Sequence, residues 1–331
     1  IITQTAPLGT PGERLTLVEV ERPKPLENEL LIQVSSCGVC HTELDEIEGR
    51  LTPPHLPVIP GHQVIGRVAE RGHAVTLFEI GDRVGVGWIH HSTGQADENL
   101  SPQFSGTGCD VNGGYAEFMT VSEDYAAKIP DGLTDTQAAP LMCAGAIGYR
   151  ALNLTGIRDG DPLGLMGFGS SGHLVLPTAK HRFPNSPVYV FTRGRSVQQF
   201  ARDLGADWAG YIDADPPEPL QAIIDTTPAW KPVVESLAKL RPGGRLVINA
   251  IRKEPDDQSE LLKISYHEHL WMEREIKSVA NLTFNDIAEF LPLAATIPLC
   301  PEVTTYRLDQ ANEALRDLRG GKTKGAKVLV I

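Results

Sequence analysis

The fold of the chain's second half is decided by one stretch, Leu163-Gly164-Leu165-Met166-Gly167-Phe168-Gly169-Ser170-Ser171-Gly172. Its first four residues predict a strand, and the next six match G-x-G-x-x-G at the start of a predicted helix. The first glycine permits a tight turn, the second lets the backbone approach a pyrophosphate, and the third lets helix and strand pack closely. We therefore expect residues 167–172 to bind a dinucleotide at the helix N-terminus; a glycine-rich turn without a ligand is the alternative.

Strands and helices alternate from about residue 146 onwards. Strands are predicted at 163–166, 188–191, 208–212, 222–224, 246–248 and 276–279. Helices are predicted at 169–181, 196–204 and 232–240. This alternation predicts a parallel sheet, and six strands are enough for a complete doubly wound sheet.

The end of the second predicted strand indicates which dinucleotide binds. An NAD site usually places Asp or Glu there, hydrogen-bonded to the ribose 2′-hydroxyl. This chain has Thr192-Arg193-Gly194-Arg195-Ser196 instead, without a carboxylate. Guanidiniums and hydroxyls suit a 2′-phosphate, so Thr192, Arg193 and Arg195 favour NADP over NAD; a pair of solvated surface arginines is the alternative.

The first part of the chain has a different pattern, with short β-rich runs between glycine and proline turns. The runs are 30–34, 63–68 and 82–86. Helical character begins near residue 134 and continues to about residue 152. After about residue 281 we expect two more helices and a terminal strand at 327–330.

Thiols and an imidazole occur at three turns, in the motifs Cys37-Gly38-Val39-Cys40-His41-Thr42-Glu43, Pro60-Gly61-His62-Gln63 and Leu141-Met142-Cys143. Two thiolates and one imidazole from separate segments can fill three corners of a zinc tetrahedron. The fourth corner then stays open for water or substrate, which is the arrangement of a catalytic zinc. CxxC also occurs in thioredoxin-like redox sites, but no thioredoxin-like βαβ unit surrounds it here.

The motifs Cys40-His41-Thr42-Glu43, Gly61-His62 and Cys143-Ala144-Gly145 resemble the zinc-dependent alcohol dehydrogenases of the medium-chain dehydrogenase/reductase superfamily. The similarity runs essentially from end to end. It implies an α/β fold with a GroES-like, partly open β-barrel catalytic domain over 1–145, completed by 282–331. It also implies a doubly wound Rossmann domain over 146–281. The implied reaction is hydride transfer between a primary or secondary alcohol and NAD(P), in either direction.

The resemblance also implies the metal site. Cys40, His62 and Cys143 would bind one catalytic zinc, and Glu43 would accept a hydrogen bond from the His62 ring and fix its tautomer. A solvated loop acid is the alternative for Glu43. Many relatives have a glutamate after the ligand histidine, whereas this chain has Gln63, which puts metal exchange through that position in doubt.

Four further residues have roles implied by the resemblance. Thr42 would carry the alcohol proton outward through its hydroxyl, and His41 would lie near the pyrophosphate. Asp45 stands where many alcohol dehydrogenases have a relay histidine, so Asp45, water or no side chain could complete the proton path. Trp88 resembles the aromatic residue that narrows the substrate pocket and would favour slender alcohols; simple packing is the alternative.

Relatives carry a second, structural zinc on four cysteines in a lobe between the Trp88 and Tyr115 regions. In this chain Thr93 and Ser101 stand where the first and last cysteines would be, and the two central cysteines are absent. Cys109 alone cannot form a four-thiolate site. We therefore expect no structural zinc.

Composition bounds the class of protein. The chain has 331 residues, 41% of them hydrophobic and 22% charged, and a net charge of −12. Two domains are expected at this length, and the negative charge argues against binding nucleic acid or anionic membrane. No apolar run approaches the ~20 residues of a membrane span, and five cysteines are too few for a disulfide framework, so we expect a cytoplasmic protein.

Two alternatives to an alcohol dehydrogenase remain open. One is a zinc-free quinone or enone reductase of the same superfamily, and the other is a dinucleotide-binding protein without catalysis. The expected partners are a small alcohol or aldehyde and, by resemblance, further copies of the chain in a homodimer or homotetramer.

Overall fold

The computed structural model describes residues 1–6, 14–297, 299, 301–320 and 325–331. Cys300, one of the five cysteines, lies outside these residues. The chain divides into two compact units, the first formed by Ile1–Ala146 with Asn281–Ile331 and the second by Ile147–Ala280. No helix in the described residues is both long enough and apolar enough to span a membrane.

The strands in the described residues are β1 (Glu29–Val39), β2 (Val64–Arg71), β3 (Arg83–Val86), β4 (Ile89–His91), β5 (Ser105–Gly106), β6 (Phe118–Ser122), β7 (Ala126–Lys128), β8 (Leu163–Met166), β9 (Val188–Phe191), β10 (Trp208–Gly210), β11 (Leu220–Asp225), β12 (Leu240–Ile248), β13 (Glu275–Ser278), β14 (Val303–Arg307) and β15 (Ala326–Val330). The α-helices are α1 (His41–Ile47), α2 (Asp135–Ala138), α3 (Ala144–Thr155), α4 (Gly172–Arg182), α5 (Arg195–Asp203), α6 (Lys231–Lys239), α7 (Phe284–Thr296) and α8 (Ala311–Arg319). Short 3₁₀ turns occupy Glu98–Leu100 and Ala139–Met142, and a π-helical turn occupies Tyr266–Leu270.

The first unit is built around β1, whose two halves pair with different strands. Its first half pairs antiparallel with β6, from Glu29 opposite Ser122, and its second half pairs antiparallel with β15, from Ser36 opposite Val330. On its other side β1 pairs with β2. The sheet order is β14-β15-β1-β2-β3-β7, with β6 also on β1. The chain's last strand therefore lies beside the strand that ends immediately before Cys40.

The second unit contains a parallel sheet in the order β10-β9-β8-β11-β12-β13. Relative to the chain this is the order 3-2-1-4-5-6 of a doubly wound dinucleotide-binding sheet. Both faces are covered, because Leu165 and Val190 belong to one buried cluster and Met166 and Phe191 belong to another. Strands buried on both faces read as continuous apolar runs, which is why β8 and β9 were visible in the sequence.

The predicted fold class is confirmed. The differences lie at element ends and in short elements that the sequence pattern did not reveal, such as α1 and β14. The helix predicted at 169–181 begins only at Gly172, and the strand predicted at 208–212 ends at Gly210. The helix predicted at 232–240 ends at Lys239, because Leu240 already has extended backbone angles and starts β12. The helical region from 134 is interrupted at Cys143, whose φ of −132° and ψ of −75° lie outside the helical range.

Candidate active site

Three segments of the first unit bring two thiols and an imidazole together. Cys40 lies between β1 and α1, His62 lies in the loop before β2, and Cys143 interrupts the helical region before α3. One ligand atom from each of these residues lies within 4.8 Å of the other two. Within the described residues, this is the one group of three His, Cys, Asp or Glu side chains that could hold a metal ion.

Two glycines make this convergence possible. Gly61 has φ of +100°, which residues with a Cβ rarely adopt, and a Cβ there would collide with the Tyr115 ring. Gly61 thus allows the turn that presents His62. A Cβ on Gly38 would lie 2.5 Å from Oε1 of Gln63, so the CxxC turn needs this glycine to accommodate the glutamine side chain.

Glu43 contacts the imidazole of His62 and the backbone of Cys40. Its Oε1 lies 2.6 Å from Nδ1 of His62, and its Oε2 accepts a hydrogen bond of 2.7 Å from the backbone N–H of Cys40. Since Glu43 faces Nδ1, the nitrogen left for a metal is Nε2, which is buried. A buried imidazole nitrogen beside two thiols is the donor set that zinc prefers, so the site fits this ion.

The charge state of the site without metal follows from its contacts. The hydrogen bond from Cys143 lowers the pKa of the Cys40 thiol well below its usual range, although burial opposes this. The same hydrogen bond and burial raise the pKa of Cys143 well above its usual range. Burial alone would lower the pKa of His62, but the charge of Glu43 and the hydrogen bonds to Cys40 and Glu43 raise it well above normal. Zinc binding would therefore displace protons from these groups.

Helix α1 carries the other acids and hydroxyls near the thiols. Oγ1 of Thr42 lies 3.6 Å from Sγ of Cys40. Asp45 is buried and accepts hydrogen bonds from Arg50, with Oδ1 2.8 Å from Nε and 2.7 Å from the second guanidinium nitrogen. Glu46 is fully buried, and burial together with the charge of Glu43 raises its pKa well above normal.

Trp88 lies against His62. The two ring centroids are 5.1 Å apart with the planes at 79°, an edge-on contact. The indole N–H donates a 3.0 Å hydrogen bond to Oδ1 of Asn281, which no local sequence pattern had indicated as a site residue. The Phe104 ring lies beside the same indole, with the two ring centroids 6.5 Å apart.

The segment 92–101, where relatives would carry structural-zinc cysteines, is held here by a carboxylate. Glu98 is buried and accepts hydrogen bonds from the N–H of Gly94 at 3.1 Å, the Tyr125 hydroxyl at 3.2 Å and the N–H of Phe284 at 2.7 Å. Ser92 donates a 2.7 Å hydrogen bond to the Glu98 carbonyl. No pattern in the sequence indicated Glu98, because a single buried acid in a loop has no periodicity.

The glycine-rich loop of the second unit has the geometry expected of a phosphate-binding turn. Gly167 has φ of +89°, and a Cβ there would lie 2.7 Å from Oγ1 of Thr226. Gly169 faces open space, whereas a Cβ on Gly172 would lie 2.8 Å from the Gly167 carbonyl oxygen. Gly167 thus provides the tight turn, Gly169 leaves space for a pyrophosphate to approach the backbone, and Gly172 allows the helix to pack closely on the turn. Phe168 is buried, and residues 170–171 are half-buried.

The segment after β9 presents two basic side chains to solvent. Thr192 is buried, while Arg193 and Arg195 are exposed, and within the described residues neither guanidinium forms an ion pair. The hydroxyl-bearing Thr192 is fixed through its backbone, with its N–H bonded to Gly210 and its carbonyl accepting from Gln198. His41, at the start of α1 in the first unit, is also exposed.

Comparison with known proteins gives the family. Residues 26–131 match the family model of the alcohol dehydrogenase GroES-like domain. The chain is 40% identical to a probable alcohol dehydrogenase, AdhA, of Mycobacterium tuberculosis, over 100% of this chain and 96% of that protein. It is 33% identical to an alcohol dehydrogenase of Geobacillus stearothermophilus, over 95% of each chain.

A solved structure supports the same assignment. A cinnamyl alcohol dehydrogenase from Sorghum bicolor superposes with a TM-score of 0.79 at 25% identity, covering 94% of this chain and 92% of that one. The relatives that match over nearly their whole length, the GroES-like match and the parallel sheet all indicate the same family. The chain belongs to the alcohol dehydrogenase family of the medium-chain dehydrogenase/reductase superfamily.

Proposed function

We propose that this protein is a zinc-dependent alcohol dehydrogenase that transfers hydride between a primary or secondary alcohol and NAD(P). The observation that carries the proposal is the convergence of Cys40, His62 and Cys143 within 4.8 Å, with Glu43 placed against Nδ1 of the imidazole. Zinc held by these residues would supply a Lewis acid that polarises the alcohol oxygen and makes its proton easier to lose near neutral pH.

The remaining steps belong to the chain's own residues. Glu43 keeps the His62 ring oriented by holding Nδ1, and Thr42 receives the alcohol proton at Oγ1 and passes it outward. Asp45 is engaged by Arg50, which favours a structural role for this carboxylate and leaves the outer proton step to water. Residues 167–172 hold the dinucleotide through backbone groups at the start of α4.

Metal analysis of the purified protein, combined with an alcohol oxidation assay, tests this function. We expect about one zinc per chain and nicotinamide reduction with simple alcohols. Cys143→Ala should lose both the zinc and the alcohol oxidation. Cys37→Ala removes a fully buried thiol outside the ligand set and should keep the zinc. A wild-type protein without bound metal would instead favour a zinc-free quinone or enone reductase, and a zinc protein that oxidises no alcohol would favour a non-catalytic role.

We infer a preference for NADP over NAD from Arg193 and Arg195, whose exposed guanidiniums form no ion pair within the described residues. Alanine at either position should raise KM for NADP by about tenfold or more, since a charged hydrogen bond to the 2′-phosphate is lost. KM for NAD should not change, because NAD lacks that phosphate. Arg158→Ala removes another exposed arginine of the same unit and serves as the matched control. Equal effects on both cofactors would contradict the assignment.

We also propose that the protein forms a homodimer or homotetramer. The end strand β13 has all four residues exposed, and Ile276 within it is 47% exposed. Trp271 and Met272, shortly before β13 in the chain, are about half exposed as well. An open strand edge with apolar neighbours suits pairing with the same strand of a second copy. Light scattering should show an oligomer that Ile276→Lys dissociates, and a monomeric wild type would refute the proposal.

A cytoplasmic location is proposed on the basis of the thiols. Cys37, Cys40, Cys109 and Cys143 are all free, as expected in a reducing compartment. Fractionation of the producing cells would test this.

A further inference from the structure

The side-chain amide of Asn281 connects two segments that are far apart in the sequence. Its Oδ1 accepts the 3.0 Å hydrogen bond from Nε1 of Trp88, and its Nδ2 donates a 3.1 Å hydrogen bond to the carbonyl oxygen of Asn99. Asn281 has φ of +52°, a left-handed conformation that asparagine tolerates better than most residues. This backbone conformation directs one short amide to both partners.

The orientation of the Trp88 ring depends on this amide. The backbone of Trp88 is fixed separately, because its carbonyl accepts a 2.8 Å hydrogen bond from the N–H of Thr107. Gly106 leaves space for the ring, since a Cβ there would lie 2.8 Å from Cζ2 of the indole. Packing therefore leaves room for the indole ring, whereas the hydrogen bond to Asn281 is the directional contact that selects the tilt of the ring beside His62.

The other end of the amide is anchored. Asn99 is buried in the 3₁₀ turn next to Glu98, whose carboxylate holds the N–H of Phe284 only three residues after Asn281. The carbonyl of Asn99 is thus a fixed acceptor. Asn281 itself is exposed, so replacing its side chain removes two hydrogen bonds without opening a cavity in the core.

We propose that Asn281 is a positioning residue that sets substrate selectivity by holding the Trp88 indole edge-on to His62. This inference rests on the proposed function and on the resemblance by which Trp88 would narrow the alcohol site beside His62. With the ring fixed, the site admits slender unbranched alcohols and excludes those branched close to the hydroxyl carbon. Without the amide, the ring is free to tilt and the exclusion weakens.

The kinetic test uses two isomeric alcohols, 1-pentanol and 2,2-dimethylpropan-1-ol, which differ only in branching. Asn281→Gly keeps the left-handed backbone and removes both hydrogen bonds. We expect the ratio of kcat/KM for the straight isomer over the branched one to fall about tenfold, mainly through KM for the branched alcohol. Asn281→Asp retains an acceptor for the indole N–H and should keep most of the selectivity. A uniform loss for both alcohols, or an Asp variant as unselective as the Gly variant, would overturn the proposal.

The coupling to Trp88 is tested in the Trp88→Phe background, which keeps an aromatic ring but has no N–H. There Asn281→Gly should have no further effect on the selectivity ratio. An additional fall in the ratio would mean that Asn281 acts through something other than the indole.

A second readout is independent of activity. The chain has four tryptophans, so protein labelled with 5-fluorotryptophan should give four fluorine resonances, and the one lost in Trp88→Phe belongs to Trp88. Asn281→Gly should shift or broaden that resonance alone and leave the zinc content unchanged. A Trp88 resonance that does not move refutes the inference even in an active enzyme. A resonance that moves in a protein without alcohol turnover refutes the proposed function while the positioning role of Asn281 stands.

Discussion

Oε1 of Glu43 lies 2.6 Å from Nδ1 of His62, and the two side chains are almost completely shielded from solvent. The other carboxylate oxygen of Glu43 holds the backbone N–H of Cys40 at 2.7 Å. A single carboxylate therefore orients one proposed zinc ligand through its ring and a second through its backbone. It links the loop before β2 to the first turn of α1.

Replacing Glu43 should weaken zinc binding more than it changes the fold. We expect Glu43→Ala to lower zinc affinity by about 10–100-fold, because ring orientation and imidazole basicity are both lost. Glu43→Gln keeps an oxygen acceptor and the capping interaction with Cys40, so its loss should be smaller. Competition with a chromophoric chelator measures both affinities. Unchanged affinity in Glu43→Ala would mean that the ring is held by its other neighbours.

The buried carboxylate of Glu98 predicts a stability effect at the segment without zinc cysteines. Both carboxylate oxygens of Glu98 accept hydrogen bonds, from donors on Gly94, Tyr125 and Phe284. In Glu98→Gln one oxygen becomes an N–H₂ group, which is itself a donor and cannot accept these bonds. We expect the free energy of unfolding to fall by about 2–3 kcal/mol. Asp97→Asn alters the exposed neighbouring acid and should change it by less than about 0.5 kcal/mol. Urea unfolding compares the two, and equal effects would show that Glu98 does not hold the segment.

The sequence predicted the second unit better than the contacts that complete the first. Strands β8 and β9 were visible because a doubly covered strand reads as an uninterrupted apolar run. The proposed zinc ligands could be named because their motifs resemble a known family, and the structure brings these three side chains together. Asn281 could not be found this way, since its bond to Trp88 spans 193 residues and only the folded chain brings the two together. Asp45 was a candidate relay from its position, and its pairing with Arg50 became visible only in the structure.

A buried ion pair should dominate the stability of the second unit at the end of β11. Nζ of Lys253 contacts the carboxylate of Asp225 and also donates to the carbonyl oxygens of Thr227 at 2.8 Å and Ala229 at 3.1 Å. Asp225 is completely buried. Lys253→Met leaves that acid without its cationic partner and should cost about 3–5 kcal/mol in urea unfolding.

Two further variants show whether the pair itself is responsible. Adding Asp225→Asn to Lys253→Met should recover part of the loss, because no buried charge remains. Lys263→Met breaks an exposed pair with Glu260 and should cost less than about 1 kcal/mol. A double variant less stable than Lys253→Met alone would assign the effect to packing rather than to charge.

His90 should make the protein sensitive to mild acid. Burial, aided by the charge of His91 and opposed by Asp110, lowers the pKa of His90 to about 4. In the unfolded chain a histidine titrates near about 6.5. Between these two values the unfolded state binds more protons than the folded state, so the free energy of unfolding falls as the pH drops. The stabilisation that His90 contributes is complete above pH ~6.5 and is lost near pH ~4. Between these values it changes the free energy of unfolding by at most about 3 kcal/mol.

Urea unfolding between about pH 4 and pH 7 measures this slope. His90→Gln keeps a polar side chain that does not titrate, so its unfolding free energy should fall less steeply with acid than that of the wild type. His55→Gln removes an exposed histidine and should leave the wild-type slope unchanged. Because His91 and Asp110 remain in both variants, the difference in slope belongs to His90. Equal slopes in wild type and His90→Gln would mean that His90 is protonated as readily in the folded protein as in the unfolded chain.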